Sequence, residues 1–296
     1  TLDISGGEML TKKEWEKIID FCKDTFILNI LTNGTLITEG IADTLSYSDR
    51  VSISLYGADA ETHDKVTGVK GSFEQVLRGT ALLTKRDIEV RAAILIFPFN
   101  VYQLEDIVKL AISLGCKRVQ VGIICSVGRA ENKNWDLSEK ERAWLDEKMN
   151  ELKEKEEYKD IEIRWEEEDE EYLEKKENKC GAGVIMWEIT SNGDIYPCAT
   201  IRIPMGNVAK ENLEDICKSP AAKFFQDLLT PHKKLCGDCQ YLYLCKGCHG
   251  QAFAHFFKVK NCPWVKQFEK APPLFKNAIH EKRKKKENEM IKDVLK

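Results

Sequence analysis

The stretch SFEQVLRGTALLTKRDIEVRAAILIF, residues 72–97, predicts an amphipathic helix followed by a short buried strand. Its first part spaces apolar residues at helical intervals, and VRAAILIF is a run of aliphatic and β-branched residues. The strand-like RVSISLYG (50–57) precedes it, and the helical LEDIVKLAISLG (104–115) and the strand-like RVQVGII (118–124) follow it. This alternation predicts parallel strands joined by helices.

The same alternation covers the beginning of the chain. TLDIS (1–5) and FILNILTNG (26–34) read as strands, whereas TKKEWEKIIDFCKD (11–24) and ITEGIADTLSYS (37–48) read as helices. Strictly alternating strands and helices imply right-handed crossovers and an α/β fold with a parallel sheet, either an open wound sheet or a partial barrel. In both cases, active-site groups are expected at the carboxyl ends of the strands.

Small and polar residues gather at those predicted strand ends. Glycines let the backbone approach a ligand, a carboxylate can hold an ammonium group, and a hydroxyl or amide can hold ribose oxygens. Each alone is typical of an ordinary turn, but several on one rim indicate a ligand site. In chain order they are Gly6, Gly7, Glu8, Thr32, Asn33, Gly34, Ser54, Asn100, Gly128 and Arg129.

The character of the chain changes beyond residue 137. SEKERAWLDEKMNELKEKEEYKD (138–160) predicts a long charged helix, IEIRW (161–165) a short strand, and EEEDEEYLEKKENK (166–179) a solvated connector. The basic run EKRKKKENE (281–289) predicts a solvated helix face. We therefore expect an α/β domain over 1–165, a connector over 166–179, a cysteine-rich domain over 180–270 and a C-terminal helix over 271–296.

Composition excludes several classes of protein. The 296 residues carry a net charge of −4 at a pI of about 5.9, so we expect no concentrated basic face and no nucleic-acid partner. No apolar run approaches the roughly 18–20 residues that span a bilayer, so we expect no membrane partner. Thr1 and the strand-like TLDISGGEML (1–10) indicate a chain cut from a longer protein rather than a signal peptide. We expect a cytoplasmic location.

Eleven cysteines without a signal peptide indicate a reducing compartment, where thiols hold metals or react rather than form disulfides. Four lie scattered in apolar segments and are expected to be buried and inert, namely Cys22, Cys116, Cys125 and Cys217. The other seven are candidate metal ligands, namely Cys180, Cys198, Cys236, Cys239, Cys245, Cys248 and Cys262. VIMWEITSNGDIYPC (184–198), which ends at one of them, predicts a hairpin with NGD as its turn.

Two kinds of metal site fit these thiols. Zinc takes four thiolates, but its C-x2-C pairs are normally separated by more than the five residues between Cys239 and Cys245, and one zinc would leave three thiols unused. Iron–sulfur clusters take four thiolates each, tolerate tight spacing and use a distant Cys before Pro, the form of Cys262-Pro263. Spacing therefore favours iron–sulfur clusters, with zinc and free thiols as alternatives.

Both halves of the sequence resemble radical S-adenosylmethionine (SAM) enzymes. The C-terminal pattern is similar to the SPASM domain of that family: Cys180, Gly193 after twelve residues, Cys198 after four more, C-x2-C-x5-C, and Cys262. In the N-terminal half, SGGEML (5–10) resembles the family's Gly-Gly-Glu motif, LTNGT (31–35) its next strand end, and VSISLYG (51–57) its ribose-contacting strand. HDKVTGVKGSFEQVLRG (63–79) also matches, although Thr67 stands where an Arg is common.

The resemblance implies a partial (β/α)6 TIM-like barrel that lacks its first β/α unit, followed by a SPASM domain with two auxiliary [4Fe–4S] clusters. It implies that Gly6, Gly7 and Glu8 hold the methionine amino group of SAM, with Ser54 on the ribose and Asn100 and Arg129 nearby. The outer cluster would use Cys236, Cys239, Cys245 and Cys262, and the inner one Cys180, Cys198 and Cys248 plus an undetermined fourth ligand or an open iron. Only two residues separate Cys245 from Cys248, where the family usually has three, so these two could be exchanged.

The family's C-x3-C-x2-C motif, which binds the cluster that cleaves SAM, occurs nowhere in these 296 residues. We therefore expect this third cluster only in an intact, longer protein, and this chain alone to be unable to start the radical reaction. For the intact protein, the resemblance implies hydrogen abstraction from a substrate by a 5′-deoxyadenosyl radical, with flavodoxin or ferredoxin as the electron donor.

The resemblance leaves the substrate open. SPASM enzymes mostly modify peptides or proteins, by thioether or carbon–carbon crosslinks or by residue oxidation, and this is the expected function. GRAENK (128–133) is similar to members that oxidatively decarboxylate tetrapyrroles, which is the second substrate class. Two hypotheses come from other classes: an iron–sulfur electron-transfer module without SAM affinity, and a zinc-stabilised interaction protein.

Overall fold

A computed structural model of the chain describes residues 1–86, 88–131, 133–165 and 180–294. It divides into two compact units, one formed by Thr1–Ile124 with Leu137–Glu166 and the other by Cys125–Asp136 with Glu167–Lys296. The segment 125–136, which the sequence assigns to the α/β domain, thus packs with the cysteine-rich part. The predicted connector at 166–179 lies outside the described residues.

The first unit is built on six parallel strands, each paired with its neighbours in the sequence. Because the strand order never reverses, the sheet has no switch point of the open, doubly wound kind and winds in one direction, as a partial TIM-like barrel does. The predicted alternation of strands and helices is therefore confirmed. Of the two sheet types that it allowed, an open wound sheet and a partial barrel, the structure shows the partial barrel. The strands are β1 Leu2–Ile4, β2 Leu28–Thr32, β3 Arg50–Leu55, β4 Val90–Ile96, β5 Arg118–Ile123 and β6 Glu162–Trp165.

Helices connect these strands, and three of the six begin at side-chain caps that the sequence supplies. Thr38 and Asp59 accept hydrogen bonds from backbone N–H groups of the first turns that follow them, and Ser138 forms a capping box with Glu141. The first helix begins at Trp15, four residues later than expected, because Met9–Thr11 forms a separate 3-10 turn. The helices are α1 Trp15–Cys22, α2 Glu39–Leu45, α3 Ala60–Thr67, α4 Ser72–Thr84, α5 Leu104–Ser113 and α6 Glu139–Glu154.

The two faces of the sheet differ in character. In β4, buried residues alternate with half-buried ones, and the buried set joins side chains of α4 and α5 in one apolar core. The other face is polar: Arg91 Nε donates to Ser52 Oγ at 2.9 Å, and its Nη1 donates to Gln120 Oε1 at 2.8 Å. Ser54 has the same parity on β3 as Ser52 and therefore lies on this polar face.

The second unit contains a small antiparallel sheet and a series of short helices. Glu188 pairs with Tyr196 across the NGD turn, which confirms the predicted hairpin. Its core is aromatic, with Phe225, Phe256, Trp264 and Phe275 all at most 1% exposed. The elements are β7 Glu188–Ile189, β8 Asp194–Tyr196, β9 Gly206–Asn207, α7 Leu213–Cys217, α8 Pro220–Asp227, α9 Lys233–Cys236, α10 Leu242–Cys245, α11 His249–His255, α12 Pro263–Lys266 and α13 Pro273–Val294.

Helix α13 carries the basic run, and the prediction of a solvated face is wrong for part of it. Lys286 is only 5% exposed, and its Nζ lies 3.1 Å from a carboxylate oxygen of Glu131, with Lys285 Nζ 3.3 Å from the other oxygen. Lys282 is also mostly buried and stacks over Phe253 at 4.3 Å. Although α13 is 22 residues long, neither it nor any other helix in the described part is long and apolar enough to cross a membrane.

A core substitution tests the first unit. Ile30 in β2 is 0% exposed, so we expect Ile30→Ala to lower the free energy of unfolding by about 2–5 kcal/mol through lost burial and a residual cavity. Phe21, 80% exposed on α1, is the matched control. Phe21→Ala should change the free energy of unfolding by less than about 0.5 kcal/mol. Urea unfolding followed by circular dichroism measures both, and equal effects would contradict this core assignment.

Candidate cofactor and cluster sites

The first site is organised by the carboxylate of Glu8, just beyond the end of β1. One oxygen accepts hydrogen bonds from Thr32 Oγ1 at 2.8 Å and Leu10 N at 3.2 Å, and the other accepts from Asn33 N at 2.8 Å. These donors come from the end of β2 and from the 3-10 turn after Glu8. The carboxylate is therefore held in a fixed orientation at the strand ends, where it can receive an ammonium group.

The two glycines before Glu8 leave this rim open. Gly6 has a φ of +143°, a backbone conformation that L side chains rarely adopt. A Cβ added at Gly6 or Gly7 would meet no atom within 4 Å, and both residues are exposed. The backbone there is thus free to be approached closely by a ligand, which fits the expected role in binding the amino-acid part of SAM.

Ser54 and Asn100 occupy neighbouring strand ends but differ in what is left for a ligand. Ser54 is half-buried on the polar face of β3. Asn100 is 0% exposed, and its amide nitrogen donates to Tyr56 O at 2.8 Å and Leu95 O at 2.9 Å while its oxygen accepts from Phe97 N at 2.6 Å. Asn100 therefore ties the ends of β3 and β4 together.

Arg129 is not part of the first unit. It is exposed in the 3-10 turn Gly128–Ala130, which belongs to the second compact unit. The first unit holds the other five residues expected to bind SAM.

Four of the seven candidate cysteines line one small cavity in the second unit. They are Cys236, Cys239, Cys245 and Cys262, with Trp264 and Phe256 among the apolar residues that close it. Cys236 ends α9, Cys245 ends α10, and Cys262 immediately precedes α12, so short helices deliver these three thiols. Burial raises the pKa of Cys236 to about 11 and also raises those of Cys245 and Cys262. A cation bound there would be needed to hold these groups as thiolates.

The remaining three candidates lie around the start of α11. Cys248 caps that helix by accepting a hydrogen bond from Gln251 N at 3.4 Å, and the Cys180 thiol accepts one from Ala182 N at 3.5 Å. Burial raises the pKa of Cys180, and the nearby Cys198 raises it further. Cys198 Sγ lies 3.1 Å from Thr200 Oγ1. Cys245, rather than Cys248, lines the four-cysteine cavity.

Zinc and iron–sulfur clusters place their thiolate ligands at different separations. Four thiolates on one zinc lie about 2.3 Å from it, which places the sulfurs only about 3.8 Å apart. Among the described residues, no three Cys, His, Asp or Glu side chains are arranged to hold a single metal ion. A [4Fe–4S] cluster binds its thiolates through different irons and needs them further apart, around a common cavity. The four cysteines that line one cavity supply the number of thiolates that one [4Fe–4S] cluster takes.

Family models match both regions. Residues 1–111 match the Radical SAM superfamily, and residues 180–249 match the SPASM model, an iron–sulfur cluster-binding domain. The chain belongs to the radical SAM superfamily and carries a SPASM domain.

Relatives of this radical SAM/SPASM chain differ in what they make. It is 28% identical to the AdoMet-dependent heme synthase of Methanosarcina barkeri, over 86% of this chain and 78% of that protein. It is also 28% identical to the subtilosin biosynthesis protein AlbA of Bacillus subtilis, over 90% of this chain but only 60% of AlbA.

Solved structures show the same fold. Streptococcus suis SuiB bound to SAM superposes with a TM-score of 0.67 at 20% identity, over 88% of this chain and 64% of SuiB. SuiB bound to its precursor peptide SuiA superposes with a TM-score of 0.65 at 18% identity, over 88% of this chain and 62% of SuiB. The chain thus spans less than two thirds of AlbA and SuiB.

The structure of the radical SAM/SPASM chain differs from the sequence predictions at two cysteines and adds one contact that they did not include. Cys22 and Cys116 are buried as expected, but Cys125 and Cys217 are only half-buried. Asp136 contacts His255 although 118 residues lie between them, and no local pattern marks that contact. Such long-range pairs become visible only when the chain is folded.

A close approach next to Cys248 gives a test of the three-cysteine site. A Cβ added at Gly250 in α11 would lie 1.9 Å from Thr200 Oγ1, whose partner is Cys198. We expect Gly250→Ala to push the loop that carries Cys198 away from α11 and to reduce iron bound after anaerobic reconstitution from about eight to about four per chain.

Gly40→Ala is the matched control, because a Cβ at Gly40 meets no atom within 4 Å and the residue lies inside α2. It should keep all the iron. Full iron content in Gly250→Ala would show that this approach is not needed to assemble the three-cysteine site.

Proposed function

We propose that this chain is the SAM-binding barrel and auxiliary-cluster domain of a peptide-modifying radical SAM enzyme. The four-cysteine cavity carries this proposal, because one buried space lined by four thiols fits a [4Fe–4S] cluster. The SPASM match over 180–249 includes three of these cysteines.

The residues are assigned as follows. Cys236, Cys239, Cys245 and Cys262 hold the outer auxiliary cluster. Cys180, Cys198 and Cys248 hold the inner one, whose fourth iron is either ligated elsewhere or open to substrate. Glu8, with Gly6 and Gly7, binds the methionine part of SAM, and Ser54 contacts the ribose. Asn100 supports this site through its hydrogen bonds to backbone groups.

In an intact protein that also carries the SAM-cleaving cluster, SAM would supply the 5′-deoxyadenosyl radical that takes a hydrogen atom from the substrate, with an outside donor such as flavodoxin or ferredoxin reducing that cluster. The chain's own residues position the reactants. The fixed Glu8 carboxylate orients the cofactor through its ammonium group, and the open backbone at Gly6 and Gly7 lets the cofactor approach closely. The apolar lining of the four-cysteine cavity excludes water from the cluster.

A peptide substrate is favoured by the relatives AlbA and SuiB, the latter solved with its precursor peptide. A tetrapyrrole is the second candidate, supported by the heme synthase, of which the chain covers 78%, and by GRAENK in the segment that packs with the SPASM unit. Saturable binding of a tetrapyrrole with carboxylate side chains, followed by its absorbance, would favour this second candidate. We place the enzyme in the cytoplasm, since its clusters need a reducing environment.

Metal analysis tests the cluster assignment. After anaerobic reconstitution with iron and sulfide, we expect about eight irons and eight sulfides per chain, two cubane clusters. Cys239→Ser and Cys198→Ser should each lose about half of the iron, because each removes a ligand of a different cluster. Cys217→Ser, which changes a half-buried cysteine outside both sets, is the matched control and should keep all of it.

About one zinc per chain with little iron would overturn the assignment and leave the zinc-stabilised interaction protein. Full iron in both Cys239→Ser and Cys198→Ser would equally reject these ligand sets.

Cofactor binding tests the barrel site and the electron-transfer alternative. We expect SAM to bind the reconstituted chain and Glu8→Gln to weaken binding at least about tenfold, because the amide keeps the shape of the carboxylate but loses its charge. Glu16→Gln in α1 is the matched charge control. Isothermal titration calorimetry measures all three.

No SAM binding by the wild-type chain, with its iron content complete, would favour the electron-transfer module. Because the chain has no C-x3-C-x2-C motif, we expect binding without release of 5′-deoxyadenosine in dithionite.

A further inference from the structure

His255 is a buried histidine whose two ring nitrogens both face acceptors. It is 1% exposed at the end of α11, with Nδ1 2.8 Å from Gln251 O and Nε2 3.1 Å from Asp136 Oδ1. A carbonyl oxygen and a carboxylate oxygen can only accept, so each ring nitrogen must donate. A neutral imidazole has one N–H, and only the imidazolium satisfies both contacts. The hydrogen bonds therefore select a positively charged His255.

Asp136 is the counter-ion that holds this charge. Its second oxygen accepts from Lys258 Nζ at 2.7 Å, and Ser126 Oγ donates to the same oxygen that His255 contacts. Burial would raise the pKa of Asp136, but hydrogen bonds and charges from His255 and Lys258 hold it well below its usual range. The carboxylate is thus fixed between two cations.

The two cations differ in their position relative to the cavity and in their exposure to solvent. His255 lines the cavity that is also lined by Cys236, Cys239, Cys245 and Cys262, whereas Lys258 does not line it and is 30% exposed. A charge beside a water-poor cavity acts on its contents far more strongly than one that solvent screens. Lys258 also lowers the pKa of Cys245, but it is partly exposed, so His255 is the partner of Asp136 placed to act more strongly on whatever the four thiols hold.

The counter-ion comes from the segment Cys125–Asp136, which packs with the SPASM unit. The same segment supplies Glu131, whose carboxylate contacts Lys286 of α13. Both carboxylates of this segment therefore pair with cations of the cysteine-rich unit.

We propose that His255 is a fixed cation that raises the reduction potential of the outer auxiliary cluster, and that Asp136 is the positioning residue that keeps it charged. This rests on the proposed function, in which the four cysteines hold that cluster. Reduction adds one electron from the donor to the cluster and transfers no proton, so the site becomes more negative by one charge. The nearby imidazolium stabilises that reduced state.

The test is the midpoint potential of the outer cluster in the full chain. It is measured by anaerobic dithionite titration with electron paramagnetic resonance, and the outer signal is the one lost in Cys239→Ser. We expect His255→Gln to lower the ratio of reduced to oxidised cluster about tenfold at a fixed potential, a shift of about 59 mV for one electron. Lys258→Met, which removes the other cationic partner of Asp136, is the matched control and should change the ratio less than about threefold.

A charge-preserving variant separates electrostatics from shape. His255→Lys keeps the cation, and we expect its ratio to stay within about threefold of wild type. If the glutamine variant loses iron, His255→Met, similar in length to lysine but uncharged, takes its place in the comparison.

The inference is overturned if His255→Gln matches wild type, or if Lys258→Met shifts the potential equally, while all variants hold about eight irons. A wild-type chain that binds no iron would instead overturn the proposed function, and this inference with it. The two failures are therefore distinguishable from the metal content alone.

Discussion

The parallel pairing of six strands in chain order is the constraint on which the first unit depends. Parallel strands that follow one another through helical crossovers all end at the same rim, so residues distant in sequence meet there. Glu8 after β1 thereby reaches Thr32 and Asn33 at the end of β2, and Asn100 beyond β4 reaches the backbone beyond β3. The rim is polar and hydrogen-bonded while the core behind it is apolar, an arrangement that suits a small charged cofactor.

In the second unit, cysteine thiols rather than strand ends form the candidate site. Short helices end or begin at cysteines and are covered by an aromatic core, so the thiols lie in a largely apolar environment. Burial raises thiol pKa values, as at Cys236, and a bound metal must therefore supply the positive charge that makes thiolates stable. Folding of this unit and cluster binding should consequently be coupled, because the small core gains an additional cross-link from each cluster.

The segment 125–136 packs with the second unit. The sequence places it directly after a barrel strand, yet its carboxylates at Glu131 and Asp136 pair with Lys286 and His255 of the cysteine-rich unit. The exposed Arg129 lies in the same segment. A stretch expected to complete the cofactor rim thus supplies charges around the SPASM unit.

The sequence by itself determined the alternation of strands and helices, the hairpin over 184–198 and the family, because hydrophobic period, turn residues and cysteine spacing are local signals. It also found which four thiols share a cavity, although the exchange of Cys245 and Cys248 stayed open. The alternation alone left an open sheet or a barrel, and the family resemblance implied the barrel. The tertiary structure confirmed the barrel through the strand order, which depends on long-range pairing. It alone showed that Lys286 is buried, that 125–136 packs with the second unit and that His255 contacts Asp136, because each depends on a partner more than a hundred residues away.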